Sequence, residues 1–175
     1  MQGKKQQLNA LEVALNNEQK ERAFYLENAK RTKNPVGKAM FEQIADDELE
    51  HYERLKELHA RWKKDEKWPD TVSLTVKKSN TRDLFARAIG KGGTIPAGDA
   101  DDLTALRIAI DFEAKGIQHY ADLRDGSSGE KERAFFDLLS SMEREHFLSL
   151  KDTEEFLTDP VSWYRKTESP GLDGA

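Results

Sequence analysis

The sequence predicts an all-α protein, a four-helix bundle built from two similar helical hairpins joined by a long crossover. Three observations lead to this prediction. Long segments carry apolar residues at helical spacing, the two halves repeat at a fixed offset, and the composition combines 35% charged with 37% hydrophobic residues. A length of 175 residues suits one domain with a sizeable core. We therefore predict a single domain over residues 1–175.

The first hairpin is predicted over about residues 6–65. Apolar residues recur at helical spacing along its first helix, and the stripe continues through Glu18 to Tyr25, although a carboxylate is out of place in a plain core. Pro35 breaks the pattern and suits the first turn of the second helix. The side chains predicted on the inner face of that second helix are Phe41, Ile44, Glu48, His51 and Leu55.

The crossover is predicted over about residues 66–99. Residues 72–76 alternate like an extended segment, residues 81–89 have the pattern of a short helix, and glycines between 90 and 98 indicate an open loop. This connection is too long for a turn between neighbouring helices. We therefore expect it to carry the chain from one end of the bundle to the other.

The second hairpin is predicted over about residues 100–158. Acidic residues at 99–102 favour a helix start there, since they suit the positive end of the helix dipole. Ser127 and Glu130 have the spacing of a capping box for the last long helix. The tail, residues 159–175, is apolar enough to pack back on the bundle.

The repeat includes acidic and aromatic positions as well as apolar ones. The pairs related by an offset of 95 residues are Glu18 and Glu113, Tyr25 and Tyr120, Glu48 and Glu143, and His51 and His146. Residues three apart on a helix share a face, so each Glu-x-x-His can converge on one point. A single such pair is expected by accident in a highly charged sequence, whereas repetition of the whole pattern is not.

The four repeated glutamates are predicted to lie at one height in the bundle. Glu18 lies fifteen residues before a turn centred at position 33 and Glu48 fifteen after it, so both are roughly 22 Å from that turn. Glu113 and Glu143 are related in the same way to a turn near position 128. Buried carboxylates cost several kcal/mol each unless cations compensate them. Because oxygen and imidazole ligands suit iron or manganese, the pattern predicts a dinuclear metal centre.

The chain resembles the rubrerythrin branch of the ferritin-like di-iron carboxylate superfamily. The resemblance rests on Glu18-x₆-Tyr25, Glu48-x-x-His51, Glu113-x₆-Tyr120 and Glu143-x-x-His146, and the closing residues 171–175 also look like the end of such domains. It implies a ferritin-like bundle that binds two iron ions, with manganese as the alternative metal. The implied ligands are Glu18, Glu48, His51, Glu113, Glu143 and His146. Tyr25 and Tyr120 would donate hydrogen bonds to ligand carboxylates.

The resemblance implies a di-iron oxidoreductase acting on hydrogen peroxide or dioxygen. The chain has no cysteine for a rubredoxin-type Cys₄ iron site, so we expect a separate electron donor, rubredoxin-like or another reductant. Such peroxidases usually carry an extra glutamate at the position of Gly116, whereas here the equivalent place in the first half holds Glu21. Glu21 is either an additional carboxylate at the centre or a solvent-exposed helix residue, and the sequence favours the exposed position.

Two other functions stay open at this point, an iron-storage protein with ferroxidase activity and a helical module with a structural metal. The net charge of −5 argues against nucleic acid or an anionic membrane surface as partner. No apolar run suggests a signal peptide or a membrane span, so a cytoplasmic protein is expected. The resemblance also implies a homodimer. His59 and His119 lack the upstream glutamate and are predicted to be surface or packing residues.

Overall fold

The computed structural model describes residues 2–65, 80–90 and 97–168, and these residues are almost entirely helical. They form α1 Gln2–Arg31, α2 Pro35–Asp65, α3 Thr81–Ile89, α4 Ala100–Gly126, α5 Glu130–Thr158 and α6 Pro160–Glu168. The predicted all-α bundle is confirmed. The predictions made for segments 72–76, 91–96 and 171–175 lie outside the described residues. None of the described helices has an apolar stretch long enough to cross a bilayer.

Two tightly packed hairpins form the bundle. Helix α1 packs along α2, α4 packs along α5, and the hairpins meet through α2 against α5 and α1 against α4. The apolar core is divided into two clusters. One is near the first turn and includes Phe41, Ile44 and Leu106, whereas the other is near the second turn and includes Leu11, Leu55 and Leu139. The layer between the two clusters is where the repeated polar residues lie.

The two hairpin turns are stabilised differently. In the first turn the Asn34 side chain accepts hydrogen bonds from the backbone N–H groups of Val36 at 3.0 Å and Gly37 at 3.1 Å, which caps α2. In the second turn α5 begins after Gly129 without a side-chain cap. The predicted capping box is wrong, because the Ser127 hydroxyl donates to the carbonyl of Leu123 at 2.7 Å and so belongs to the end of α4.

The short helices α3 and α6 close one end of the bundle. Asp152 on α5 accepts hydrogen bonds from the Thr81 hydroxyl of α3 and, at 2.7 Å, from the indole N–H of Trp163 on α6. The rings of Phe85 and Phe156 lie 4.5 Å apart, and Trp163 packs against both. The described part of the tail therefore packs back on the bundle, as the sequence predicts.

Candidate metal centre

The six side chains predicted to bind metal lie together in the layer between the two apolar clusters. They are Glu18 of α1, Glu48 and His51 of α2, Glu113 of α4, and Glu143 and His146 of α5, and each is at most 4% exposed. Each long helix contributes because the repeated residues face the bundle axis at one height.

These side chains form two overlapping groups. The first contains Glu18, Glu48, His51 and Glu143, and the second contains Glu48, Glu113, Glu143 and His146. Within each group one ligand-type atom per residue lies within 4.8 Å of the others. Glu48 and Glu143 belong to both groups. Each group could hold a cation, and two such sites would share the carboxylates of Glu48 and Glu143.

The imidazole nitrogens face the carboxylates at close range. Nδ1 of His51 lies 3.2 Å from an oxygen of Glu18 and 3.2 Å from an oxygen of Glu48. Nδ1 of His146 lies 3.2 Å from the other oxygen of Glu48 and 3.6 Å from Glu113. The rings of His51 and His146 are stacked with centroids 5.3 Å apart. Each histidine therefore serves one of the two groups.

Most of these atoms are buried without a hydrogen bond. Among the described residues, both oxygens of Glu48, both oxygens of Glu143 and Nδ1 of His146 have no hydrogen-bond partner. Buried polar groups are almost always paired, so each exception needs an explanation. Two ligand atoms bound at about 2.1 Å to one ion and at right angles are about 3 Å apart. The observed spacings of 3.2 Å fit side chains that point at a common ion.

The charges of the cluster require compensation. Burial and the neighbouring Glu48 raise the pKa of Glu18 to about 8, and burial with Glu48 and Glu113 raises the pKa of Glu143 well above its usual range. Burial also raises the pKa of Glu48, but the adjacent imidazoles outweigh it and hold that pKa well below the usual range. The cluster must therefore hold either protons or cations, and divalent metal ions can replace the protons.

Two tyrosines connect the hairpins around the cluster. The Tyr25 hydroxyl of α1 donates a hydrogen bond to Glu113 of α4, and the Tyr120 hydroxyl of α4 donates one to Glu18 of α1. Burial and the adjacent carboxylates raise the pKa of both tyrosines well above their usual range, so both remain donors. Each tyrosine thus orients one glutamate of the opposite hairpin.

Asp47 is a site residue that sequence reasoning missed. Its carboxylate lies 3.6 Å from Nε2 of His146, on the opposite hairpin. The equivalent position in the second half is Met142, and Nε2 of His51 has no hydrogen-bond partner among the described residues. The repeat conceals Asp47 because the residue is not repeated, although its place directly before Glu48 was visible in the sequence.

Glu21 lies beside the cluster. It is half-buried, and burial together with Glu48, Glu113 and Glu18 raises its pKa to about 10. The favoured prediction of a solvent-exposed Glu21 is wrong because this face of α1 turns toward α4. At the equivalent position of α4, a Cβ on Gly116 would lie 3.3 Å from the side chain of Glu143. A glutamate there would displace Glu143 from its observed position.

The other two histidines lie outside both groups. His59 is half-buried with Nε2 3.4 Å from Glu12. His119 is half-buried with its ring centroid 5.5 Å from that of Tyr120, and burial lowers its pKa. Both placements agree with the predicted surface or packing role.

The fold and the buried cluster together define a class, the ferritin-like helical bundles with a carboxylate and imidazole metal centre. The comparisons with known proteins specify the family. The Rubrerythrin family model matches residues 9–154, which is most of the chain. The protein belongs to the rubrerythrin family.

One solved structure has a similar fold at low sequence identity. A hypothetical protein from Pyrococcus furiosus is 19% identical in sequence, with a TM-score of 0.63 over 86% of this chain and 89% of that one. At this identity the likeness shows the fold alone. The comparison with curated proteins finds no match.

Proposed function

We propose that the protein holds two iron ions in this layer and reduces hydrogen peroxide or dioxygen with electrons from a donor. One observation carries the proposal, the buried set of four carboxylates and two imidazoles of which most atoms have no hydrogen-bond partner among the described residues. A purely structural core would not concentrate such groups. Membership of the rubrerythrin family supports redox chemistry, and manganese is the alternative metal.

The ligand roles follow from the two overlapping groups. Glu18 and His51 would hold one ion, and Glu113 and His146 would hold the other. Glu48 and Glu143 would be shared by both ions. Tyr25 and Tyr120 would keep the terminal carboxylates oriented through their hydrogen bonds.

Bound iron would supply the two electrons that, with two protons, convert hydrogen peroxide to two molecules of water. The chain contributes the surroundings. The apolar clusters on either side shield the layer from water along the bundle axis. In the metal-free site, burial and the neighbouring carboxylates raise the pKa of Glu21 to about 10. Its half-buried carboxyl group lies beside the cluster and would be placed to deliver one of the protons.

The electrons would come from a donor outside these residues. The 175 residues contain no cysteine, so they offer no thiolate ligands for an iron–sulfur centre. A rubredoxin-like protein or another reductant is the expected donor. The expected homodimer also stays a prediction, and sedimentation velocity on the purified protein tests it.

Metal analysis followed by rapid kinetics tests the proposal. Protein purified without added metal is expected to contain two iron ions per chain. After anaerobic reduction, stopped-flow mixing should show fast stoichiometric oxidation by peroxide and slower oxidation by dioxygen. Preferential reaction with dioxygen and release of the oxidised iron would instead support a ferroxidase, and a centre that is silent toward both oxidants would support a structural metal.

A matched pair of variants controls this test. Glu48→Gln removes a charge from the shared carboxylate, whereas Glu53→Gln removes one from the same helix at a side chain that is 59% exposed. Only Glu48→Gln should lose metal and the reaction with peroxide. Equal behaviour of the two variants would contradict the assignment.

A further inference from the structure

A cavity of about 460 Å³ lies beside the metal centre, between α1 and α4. The residues that matter for the argument are Asn17, Lys20 and Phe24 of α1 and Phe112, Lys115 and His119 of α4. Glu18 and Tyr120 also line it. The cavity therefore reaches from the surface to a carboxylate of the centre.

Equivalent positions of the two halves line this cavity. At the offset of 95 residues Lys20 corresponds to Lys115 and Phe24 to His119. The lysine is retained in both halves although neither lysine is part of the buried cluster. The cavity is thus a feature of the α1 and α4 faces rather than a defect at one end of the bundle.

The size of the cavity exceeds what the proposed oxidants need. Hydrogen peroxide and dioxygen each contain two heavy atoms, whereas pockets that bind organic molecules commonly have volumes of about 300–1,000 Å³. A volume of about 460 Å³ is in that range. The cavity has room for an organic molecule of moderate size next to Glu18.

The lining suits a molecule with an apolar body. The rings of Phe24 and Phe112 meet edge to face with centroids 5.1 Å apart, one from each hairpin. Most of the accessible wall is apolar. Nε2 of His119 is buried in the wall and has no hydrogen-bond partner among the described residues. The wall therefore offers two aromatic surfaces and one polar atom that a ligand could engage.

The charged lining residues favour an acidic group. Lys20 is exposed, and the Lys115 side chain is 72% exposed in an ion pair with Asp111 that is itself open to solvent. Such exposed pairs contribute little and exchange partners readily.

We propose that this cavity binds a small organic acid, with its apolar body against Phe24 and Phe112 and its acid group near Lys20 and Lys115. The ligand then lies with its other end toward Glu18. That this ligand lies beside a redox centre rests on the proposed function. The binding of the acid in the cavity does not depend on that function.

Equilibrium dialysis with benzoate tests the proposal on the full-length protein as purified. Benzamide, a neutral molecule of the same shape, is the matched probe. Benzoate should bind saturably and benzamide about tenfold more weakly, a difference of about 1.4 kcal/mol, because benzamide cannot form the ion pair with the lysines. Benzamide that binds as tightly as benzoate would overturn the acid-binding assignment.

Two lysine substitutions locate the site. Lys115→Glu should weaken benzoate binding by about tenfold or more. Lys38→Glu, in a similar exposed pair four residues from Glu42, should leave benzoate binding unchanged. If both variants bind benzoate as the unaltered protein does, the carboxylate is held elsewhere, for example as a direct ligand of the metal, and the proposal is wrong.

A cavity-filling variant provides a second measurement. Asn17→Trp places a large ring in the cavity from a half-buried position, and benzoate binding should be lost. Metal content and the rate of oxidation by peroxide are measured on the same samples. Retained benzoate binding by Asn17→Trp overturns the proposed site. Benzoate binding by unaltered protein that reacts with neither peroxide nor dioxygen overturns only the proposed function.

Discussion

The two hairpins are alike where they hold the predicted metal ligands and different directly around them. Both carry the same glutamates, tyrosine and Glu-x-x-His at an offset of 95 residues. The pairs of equivalent positions that differ near the centre are Glu21 and Gly116, Asp47 and Met142, and Phe24 and His119. The duplication therefore preserved the ligand set, while the surroundings of the two halves diverged.

These differences predict two inequivalent metal positions. Asp47 supports His146 from across the bundle, whereas His51 has no such partner at Nε2 among the described residues. Glu21 adds a carboxyl group from α1, and Gly116 leaves space that Glu143 occupies. The ion that we propose at Glu113 and His146 should therefore be bound more firmly than the one that we propose at Glu18 and His51.

Removal of a shared carboxylate should have the largest effect. Glu48→Ala is expected to abolish binding of both ions, since Glu48 belongs to both groups. Glu18→Ala should abolish binding of only one ion, the one on the His51 side. Metal analysis after dialysis measures the difference. Loss of the same number of ions in both variants would remove the basis for assigning Glu48 a shared role.

Metal removal should make stability depend on pH. The pKa of Glu18 rises from 4.5 to about 8 on folding without metal, and adjacent carboxylates raise that of His51 to about 10. Because folding raises both pKa values, the contribution of each group to the free energy of unfolding is fully present below its unfolded-state pKa, 4.5 for Glu18 and 6.5 for His51. The contribution of Glu18 is lost as the pH rises through about 8, and that of His51 as the pH rises through about 10. We expect a loss of a few kcal/mol. Urea unfolding should show no such loss in the metal-loaded protein, whose ligands are deprotonated.

The Asp47 contact should distinguish the two metal positions. Asp47→Asn is expected to lower the affinity for the ion on the His146 side by about 10- to 100-fold, since groups that orient a ligand histidine affect metal affinity by that factor. Asp46→Asn, an exposed neighbour on the same helix, is the control. Competition titration with a chelator gives the affinities. A loss shared equally by both ions would argue that the two positions are equivalent after all.

Substitution of Gly116 should have the smallest effect of these changes. A Cβ on Gly116 meets Glu143 at 3.3 Å, whereas one on Gly126 meets nothing within 4 Å. Glycine to alanine in a helix stabilises by about 1 kcal/mol where space allows. Gly116→Ala should therefore be less stable than Gly126→Ala by about 1 kcal/mol in thermal unfolding. Equal stabilisation by both would mean that Glu143 moves freely.

Much of the fold and the meeting of the six predicted ligands in one buried layer were accessible from the sequence. The start of α4 lies at Ala100, where acidic residues indicated it, and the first turn lies at 32–34, where Pro35 required a break. Equal distances of Glu18 and Glu48 from that turn placed them at one height. The capping of α5 was not accessible from the sequence, because Ser127 lies between the end of α4 and the start of α5 and could bond to either. Only the structure shows that its hydroxyl bonds to the end of α4.

The sequence by itself determined which side chains share a layer, because the rise per residue of a helix is constant and the repeat supplies each position twice. Only the tertiary structure decided which atoms of one hairpin meet which atoms of the other. Tyr25 reaches Glu113, Asp47 reaches His146, and Glu21 lies beside the cluster instead of in solvent. Those contacts depend on the rotation of each helix about its axis and on the spacing of α1 from α4, which local sequence patterns do not specify.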